Sequence, residues 1–458
     1  MFRSTGFGFL SLVVLLFGKT VAAEPEAAPL RLATFQAEAT LPLGQLLYLE
    51  PLKTVEHPLL AKGVVLEDGS RRYVLCAVDW CTMGTVTRRT FREKIAAAAE
   101  TDVSRVMVQC VHQHTAPPFD VSVEALIKDP ADLPKRRDLT FLDQVTDRLA
   151  AAVREAAERL EPFDRVGTGE AKVERVAAIR RVFTEDGKLL TRWSSCTDPA
   201  LRAMPEGPID PMLKTITLAR GNKPLVRLHY YAVHPQSYYR DGRASYDYPG
   251  IARQRLEEKE GVFQIYFTGC AGDVTAGKYN DGTPNARAEL ADRLFAGMQA
   301  SVAATRWSPV SEIEWRAVPV LLDPRTDGGH DPAKNRTTMN DARSDPEVRR
   351  QAAGRLLQFE RLGGPMELAS IELGPATIVH LPGEPMVEFQ KYAQRIAPQK
   401  FVAVAGYGLG TPGYICTEAA FEEGGYEPGA SAVVPESEKR MKTAIRQMLG
   451  VESAGREE

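Results

Sequence analysis

Residues 106–118 read VMVQCVHQHTAPP. An apolar run through Val106, Met107 and Val108 to Cys110 and Val111 meets His112 and His114, and then a loop marked by Thr115, Ala116, Pro117 and Pro118. Residues two apart on a strand face the same way. The pattern therefore predicts a buried strand that delivers two imidazoles to one point as it ends. That arrangement suits a metal or general-base site at the carboxyl edge of a sheet. By spacing alone it reads equally well as a solvated histidine pair.

Upstream, residues 73–78 are continuously apolar after an Asp68-Gly69 turn, and Phe91, Ile95 and Ala98 recur at helical spacing over 85–100. Strand, helix and the 106–111 strand make one βαβ unit, so a central sheet is at least partly parallel. Downstream, the patterns predict a helix over 140–160, a strand over 173–183 and an apolar run at 224–235 that ends in His234-Pro235. A helix with Pro249 in its first turn follows, then a strand over 262–267 that runs into Gly269 and on to Thr275, and a helix over 285–300. A strand over 313–322 precedes a charged stretch, 323–346, that reads as a long excursion or lid. A helix over 351–361, an extended segment over 367–381 ending in Pro382-Gly383-Glu384, a helix near Pro385, a strand over 401–405 and a helix over 435–448 complete the chain. The expected class is α/β, with mixed, partly parallel sheets and flanking helices.

Five predicted strand ends carry polar residues: His112 and His114, His234, Asp273 and Thr275, Glu384, and the glycine-rich segment 406–414. Strands of one parallel sheet would set these ends side by side. Two histidines and a carboxylate are a catalytic zinc set with room for water. Each member also has a plain reading. His234-Pro235 could simply end a strand, and Glu384 could be a carboxylate at the start of a helix. His229, among aromatics, reads as core.

The chain has 458 residues, 44% of them hydrophobic, and a formal charge of −3. That is enough for a large core, with no nucleic-acid footprint. Arg3, the apolar run from Phe7 to Phe17 and the small residues up to Ala23 read as a signal peptide over 1–23. The run is too short for a strong membrane span, so no transmembrane span is expected after cleavage. A periplasmic or secreted protein is expected, with one catalytic domain over 24–450 and a disordered tail over 451–458. Six cysteines without a CxxC are too sparse for a disulfide scaffold or a cysteine-rich zinc site. Export permits one or two disulfides, and buried thiols are the alternative. Nothing in the sequence speaks for or against an oligomer.

Several segments, in order, resemble the catalytic domain of the neutral/alkaline ceramidases, zinc amidases that split ceramide into sphingosine and a fatty acid. CVHQHTAPP is similar to the family's histidine-threonine-histidine segment, YYAVHPQS to its second-ligand segment and HLPGEP to its leucine-proline-glycine-glutamate segment. GYICTEAAFEEGGYEPGAS resembles the block that holds two tyrosines at the same separation, and DPMLKTITL and DYPG have counterparts too. The resemblance implies Zn2+ held by His112, His234, Glu384 and Tyr414. It implies an active-site histidine at His114 and a transition-state donor at Tyr426. It also gives places at the site to Arg180, Asp273 and Thr275.

The departures bear on substrate more than on chemistry. Thr275 replaces the family's serine, Cys270 stands where asparagine is common, and Ile179 rather than asparagine precedes Arg180. Gln113 and Ala116-Pro117 alter the first loop, and the chain ends soon after the tyrosine block. The expectation is thus a diverged member without the family's carboxyl-terminal immunoglobulin-like domain. Its substrate would be a lipid or small-molecule N-acyl compound. An exported zinc esterase or deacylase acting on a polar substrate is the alternative within the enzymes. A non-catalytic exported module with a degraded site is the alternative outside them.

Overall fold

Strands β1 (Arg31–Glu38), β2 (Leu60–Glu67) and β3 (Arg72–Val78) form an antiparallel meander, and helix α1 (Thr85–Ala99) crosses over to β4 (Val106–Cys110), which lies parallel to β3. The computed structural model describes residues 28–48, 50–126, 137–410 and 412–451, with residues 1, 2, 6 and 8. Most of the expected signal peptide, and the expected tail apart from Val451, lie outside the described residues. Helix α2 (Leu139–Glu158) buries Phe141, Val145, Leu149 and Val153 against this sheet, along the stripe that the sequence predicts.

The second sheet repeats the scheme. β5 (Arg165–Lys172), β6 (Met212–Arg220) and β7 (Lys223–Tyr231) are antiparallel, and α3 (Asp247–Glu260) crosses over to the parallel β8 (Phe263–Thr268). Helix α4 (Pro284–Ala303) leads to β9 (Arg306–Pro309) on the far edge. The third sheet begins with β10 (Glu314–Val320). After helices α5 (Pro332–Asn340) and α6 (Pro346–Leu362), β11 (Met366–Leu373) and β12 (Ala376–His380) continue it, and α7 (Val387–Ile396) crosses over to the parallel β13 (Phe401–Ala405). Helix α8 (Ser437–Leu449) packs Met441, Ile445 and Met448 with Leu368, Phe389 and Val402 in a second core cluster. Full burial of each such side chain stabilises by about 1.5–3 kcal/mol.

Each sheet therefore ends, on one edge, in a parallel pair made by a helical crossover. A parallel pair needs a crossover of this kind, and the crossover sends both strand ends the same way. The three parallel edges meet. From β4, the Gln109 amide donates to the carbonyls of Ala405 and Gly406 at 3.0 and 2.8 Å, and Cys110 N donates to Tyr407 O at 3.0 Å. Gly406 N donates to Thr268 O at 2.9 Å, and the Thr268 hydroxyl donates to Val111 O at 2.6 Å. The polar strand ends do lie side by side, but they belong to three sheets rather than one. A buried bidentate pair, Arg253 to Asp79 at 2.9 Å for both bonds, ties α3 to the end of β3.

Three local expectations are corrected. Residues 173–183 are not one strand: the long strand is β5, and only short pairings follow at Ala178–Ile179 and Arg181–Phe183. Gly167 and Gly169 hide β5 from a hydrophobic pattern, and the packing of Thr305 and Trp307 on the first and of α4 on the second explains them. A Cβ on Gly169 would sit 2.1 Å from Ser301 O. The 323–346 stretch carries α5, and α6 starts at Pro346 rather than at 351. Both helices begin with the same signal, an aspartate N-cap (Asp331, Asp345) followed by proline. All six cysteines are free and buried. Among the described residues no helix is long and apolar enough to cross a membrane.

Candidate metal and active site

Beyond β4 the backbone still follows its neighbour, with Val111 N donating to Val78 O at 2.8 Å and His112 N to Trp80 O at 2.9 Å. His112 then turns into the left-handed region, at φ 74°. Such a backbone is rare outside glycine and is held here by its surroundings. His112 and His114 thus do not share a strand face. The left-handed turn brings their rings to 5.0 Å, nearly perpendicular at 87°.

The His112 Nδ1 proton goes to Cys81 O and the His234 Nδ1 proton to Ala271 O, both at 2.7 Å, since a carbonyl can only accept. Each Nε2 is left with a lone pair. The two Nε2 atoms lie 3.0 Å apart, and Glu384 Oε2 lies 3.3 Å from the first and 3.5 Å from the second. Three acceptors this close repel one another unless a proton or a cation lies among them. Zinc–nitrogen bonds of about 2.0–2.1 Å put two ligand atoms of a tetrahedral site roughly 3.3 Å apart. The donor set therefore fits zinc in type and in spacing. Without a cation, a proton takes its place. Burial pushes His112 down, but the Glu384 carboxylate overrides this and holds it up at about 10, while burial pushes His234 down to about 4. Burial alone would raise Glu384, and His112 and His234 instead hold it well below the usual carboxylate range.

The loops that bring these groups together are locally specified. His234 N donates to Val274 O at 3.0 Å, and the Tyr248 hydroxyl, from the DYPG segment, donates to His234 O at 2.8 Å. Glu384 N donates to Gly413 O at 2.8 Å, and Glu384 pairs with Tyr414 in a short parallel bridge. Gly272 passes directly beneath. A Cβ there would lie 2.4 Å from Glu384 O, so only glycine allows the approach.

His114 is the one imidazole of the group with no bonding partner at either nitrogen among the described residues, although both nitrogens are buried. Burial, then the neighbouring His112 and His234, push it well below the usual imidazole range, so its ring is neutral. Its ring lies 5.7 Å from that of Tyr48 and 5.8 Å from that of Tyr239.

Arg180 occupies the other side. Its Nε donates to Glu427 at 2.8 Å, and its Nη2 donates to the Tyr414 hydroxyl at 3.2 Å and to Gly272 O. Its guanidinium lies 5.3 Å from the Tyr414 ring and 5.1 Å from the Tyr426 ring. Glu427 is buried and also accepts from Arg181 at 3.0 Å. Tyr426 is 41% exposed and meets Trp193 edge to face at 5.0 Å.

Asp273 and Thr275 face the framework. Asp273 Oδ1 accepts from Val387 N, at the start of α7, at 2.8 Å. Burial pushes its carboxyl up to about 6 against the pull of that bond. The Thr275 hydroxyl donates to Arg192 O at 3.3 Å and accepts from Gly277 N at 3.2 Å. Both of its partners are backbone groups outside the histidine–glutamate cluster. His229 is core, held between Thr215 and Gln264 at 2.8 and 2.7 Å.

Two residues escape a reading of the sequence. Tyr407, at φ 61°, stacks its ring on His112 at 4.1 Å and sets its hydroxyl 3.4 Å from His234 Nδ1. The glycine-rich segment marks its position but not its ring, which reaches His112 only because β13 lies beside β4. Glu427 follows Tyr426 directly, and its role appears only with both arginines in place.

A mixed α/β frame in which three parallel sheet edges present a two-histidine, one-carboxylate cluster is thus defined. Two solved structures share the fold. The crystal structure of neutral ceramidase from Pseudomonas aeruginosa superposes with a TM-score of 0.67 at 15% identity, over 93% of this chain and 75% of that one. A ceramidase complexed with C2 gives 0.66 at 15% identity, over 92% and 76%. The chain has the neutral ceramidase fold. No protein-family model and no curated protein matches its sequence.

Proposed function

We propose that this chain is an exported zinc-dependent hydrolase of linear amides, ceramidase-like, that cleaves the N-acyl bond of a lipid or related substrate. Residues 24–450 would form its single catalytic domain, working in the periplasm or outside the cell. The observation that carries this reading is the convergence of His112 Nε2, His234 Nε2 and Glu384 Oε2 within 3.5 Å, with both Nδ1 atoms already committed. The fold, shared with a neutral ceramidase, supports the choice of an amide.

His112, His234 and Glu384 would hold the zinc, with Tyr414 as a fourth ligand beside Glu384. Zinc at this position supplies Lewis acidity toward a carbonyl and lowers the pKa of water toward neutrality. His114 accepts the proton released on attack, because it lies beside the cluster with neither nitrogen engaged. It returns that proton to the departing nitrogen. Tyr426 donates its phenolic hydrogen to the developing oxyanion. Arg180 fixes the Tyr414 hydroxyl and stands against both tyrosine rings. Asp273 holds the first turn of α7 through Val387, and Thr275 braces the loop beside Arg180.

The test pairs two measurements. Metal analysis of the purified chain should give about one zinc per molecule. A panel of N-acyl substrates, varied in chain length and head group and run beside matched esters, should show amide turnover that stops on chelation. Turnover of esters only would transfer the site to an esterase. Neither zinc nor turnover would leave a non-catalytic module.

A further inference from the structure

Away from the histidine cluster, the first turns of α1 and the segment leading into β11 enclose a cleft of about 520 Å³. Its charged lining is Arg88, Arg89, Arg92 and Arg361 against Asp102 and Glu367. The chain as a whole carries −3, whereas this lining counts two more arginines than carboxylates, with Glu93 and Asp120 beside it.

Ion pairs hold three of the four arginines, two of them loosely. Arg92 donates to the carbonyls of Val106 and Val103 at 2.9 and 2.6 Å and uses Glu367 at 2.9 Å. Arg361 comes no nearer to Asp120 than 3.6 Å, and Arg89 no nearer to Glu93 than 3.9 Å. Arg88 is the decisive residue. It is 7% exposed, yet its guanidinium meets only Val108 O at 3.3 Å and Met107 Sδ at 3.8 Å. No carboxylate pairs with it among the described residues. Burial, and then Arg92, push it down to about 9.

Arg88 and Arg92 do cover carbonyls on the free edge of β4, and that is a structural use. It explains a hydrogen-bond donor at position 88 but not a charge, since glutamine could donate to Val108 O equally well. A guanidinium removed from water without a counter-charge is costly. A planar fork of donors beside further arginines is the arrangement that takes phosphate oxygens in pairs.

We propose that this cleft is a binding site for a phosphate-type dianion, whether inorganic phosphate or the phosphomonoester of a small molecule or lipid. Arg88 gains its missing partner, and Arg89 and Arg361, paired only at 3.9 and 3.6 Å, turn to the second negative charge. The site is separate from the histidine cluster, with which it shares no residue. A narrow cavity that also includes Arg88 runs from it to Gln109, Leu381 and Gly408, beneath the loop that carries Glu384.

The experiment is calorimetric titration of the full-length mature protein with inorganic phosphate, at ionic strength held constant with chloride. Wild type, Arg88→Gln, the rim double variant Arg89→Gln/Arg361→Gln, and Glu384→Gln are compared. Saturable binding is expected in wild type and in Glu384→Gln, and it should weaken at least tenfold in both arginine variants. The rim variant decides alone if Arg88→Gln does not fold. Equal affinity in the arginine variants, or binding lost only in Glu384→Gln, overturns the proposal, the second outcome placing phosphate at the metal cluster. Cosedimentation with phosphatidic acid vesicles, against phosphatidylcholine vesicles, separates the sources. Vesicle binding that the rim variant abolishes assigns a lipid phosphomonoester, and phosphate binding without vesicle binding assigns a soluble one.

Discussion

The two sides of the candidate site are built on opposite electrostatic principles. On one side, His112, His234 and Glu384 point three acceptors at a common centre, and only a proton or a cation resolves their repulsion. On the other, Arg180 is fully engaged with Glu427, Tyr414 and Gly272 O, and Glu427 is shared with Arg181. The first side is completed by something it binds. The second is complete in itself and places two tyrosines. Damage to the first should therefore appear in metal content, and damage to the second in turnover or stability with the metal retained.

The largest expected effect comes from the first side. His112→Ala, His234→Ala or Glu384→Ala should each lose most bound zinc. Turnover should then fall by more than the roughly 1,000-fold that a single lost oxyanion donor costs. Metal analysis and turnover on the same samples check this, and stoichiometric zinc in all three variants would remove these residues from the shell. Next in size is Tyr426→Phe, which keeps the ring against Arg180 and Trp193 and loses one donor. Turnover should drop about 100- to 1,000-fold with zinc and melting temperature unchanged. Full activity would leave Tyr426 as packing at the mouth.

Glu427→Gln sharpens the contrast, because it breaks a buried pair on the self-sufficient side. Removing one partner of such a pair destabilises by roughly 3–5 kcal/mol. Denaturant unfolding should report that loss while zinc stays stoichiometric, and loss of zinc instead would merge the two sides into one unit. The smallest effects belong to Thr275. Thr275→Ser keeps the hydroxyl and should be nearly silent. Thr275→Ala strands Gly277 N and should cost about 1–3 kcal/mol of stability, with little change in kcat. A large fall in kcat without a fall in stability would give the hydroxyl a catalytic place that its backbone partners do not suggest.

How much of this was legible depended on the range of the interaction. The helix stripe Phe141, Val145, Leu149, Val153 and the apolar runs before Asp79 and His112 are local patterns, and the elements follow them. The start signals Asp331-Pro332 and Asp345-Pro346 were also present, but a charged composition masked them. Strand β5 was hidden because its glycines answer to α4 and to the segment into β9, more than a hundred residues away.

The sequence by itself determined which residue types stand at the ends of apolar runs: two imidazoles after β4, one after β7 and a carboxylate after β12. These are short-range facts of periodicity and punctuation, and the likeness of the segments to the ceramidase motifs added roles to them. Only the tertiary structure decided that these ends come from three sheets whose parallel edges meet, that His112 turns left-handed to present its Nε2, and that Tyr407 stands behind His112 and Glu427 behind Arg180. The reason is physical. A hydrogen bond such as Gln109 to Gly406 O, or a ring stacked on His112, joins residues hundreds of positions apart. Its energy depends on a distance that no local pattern encodes.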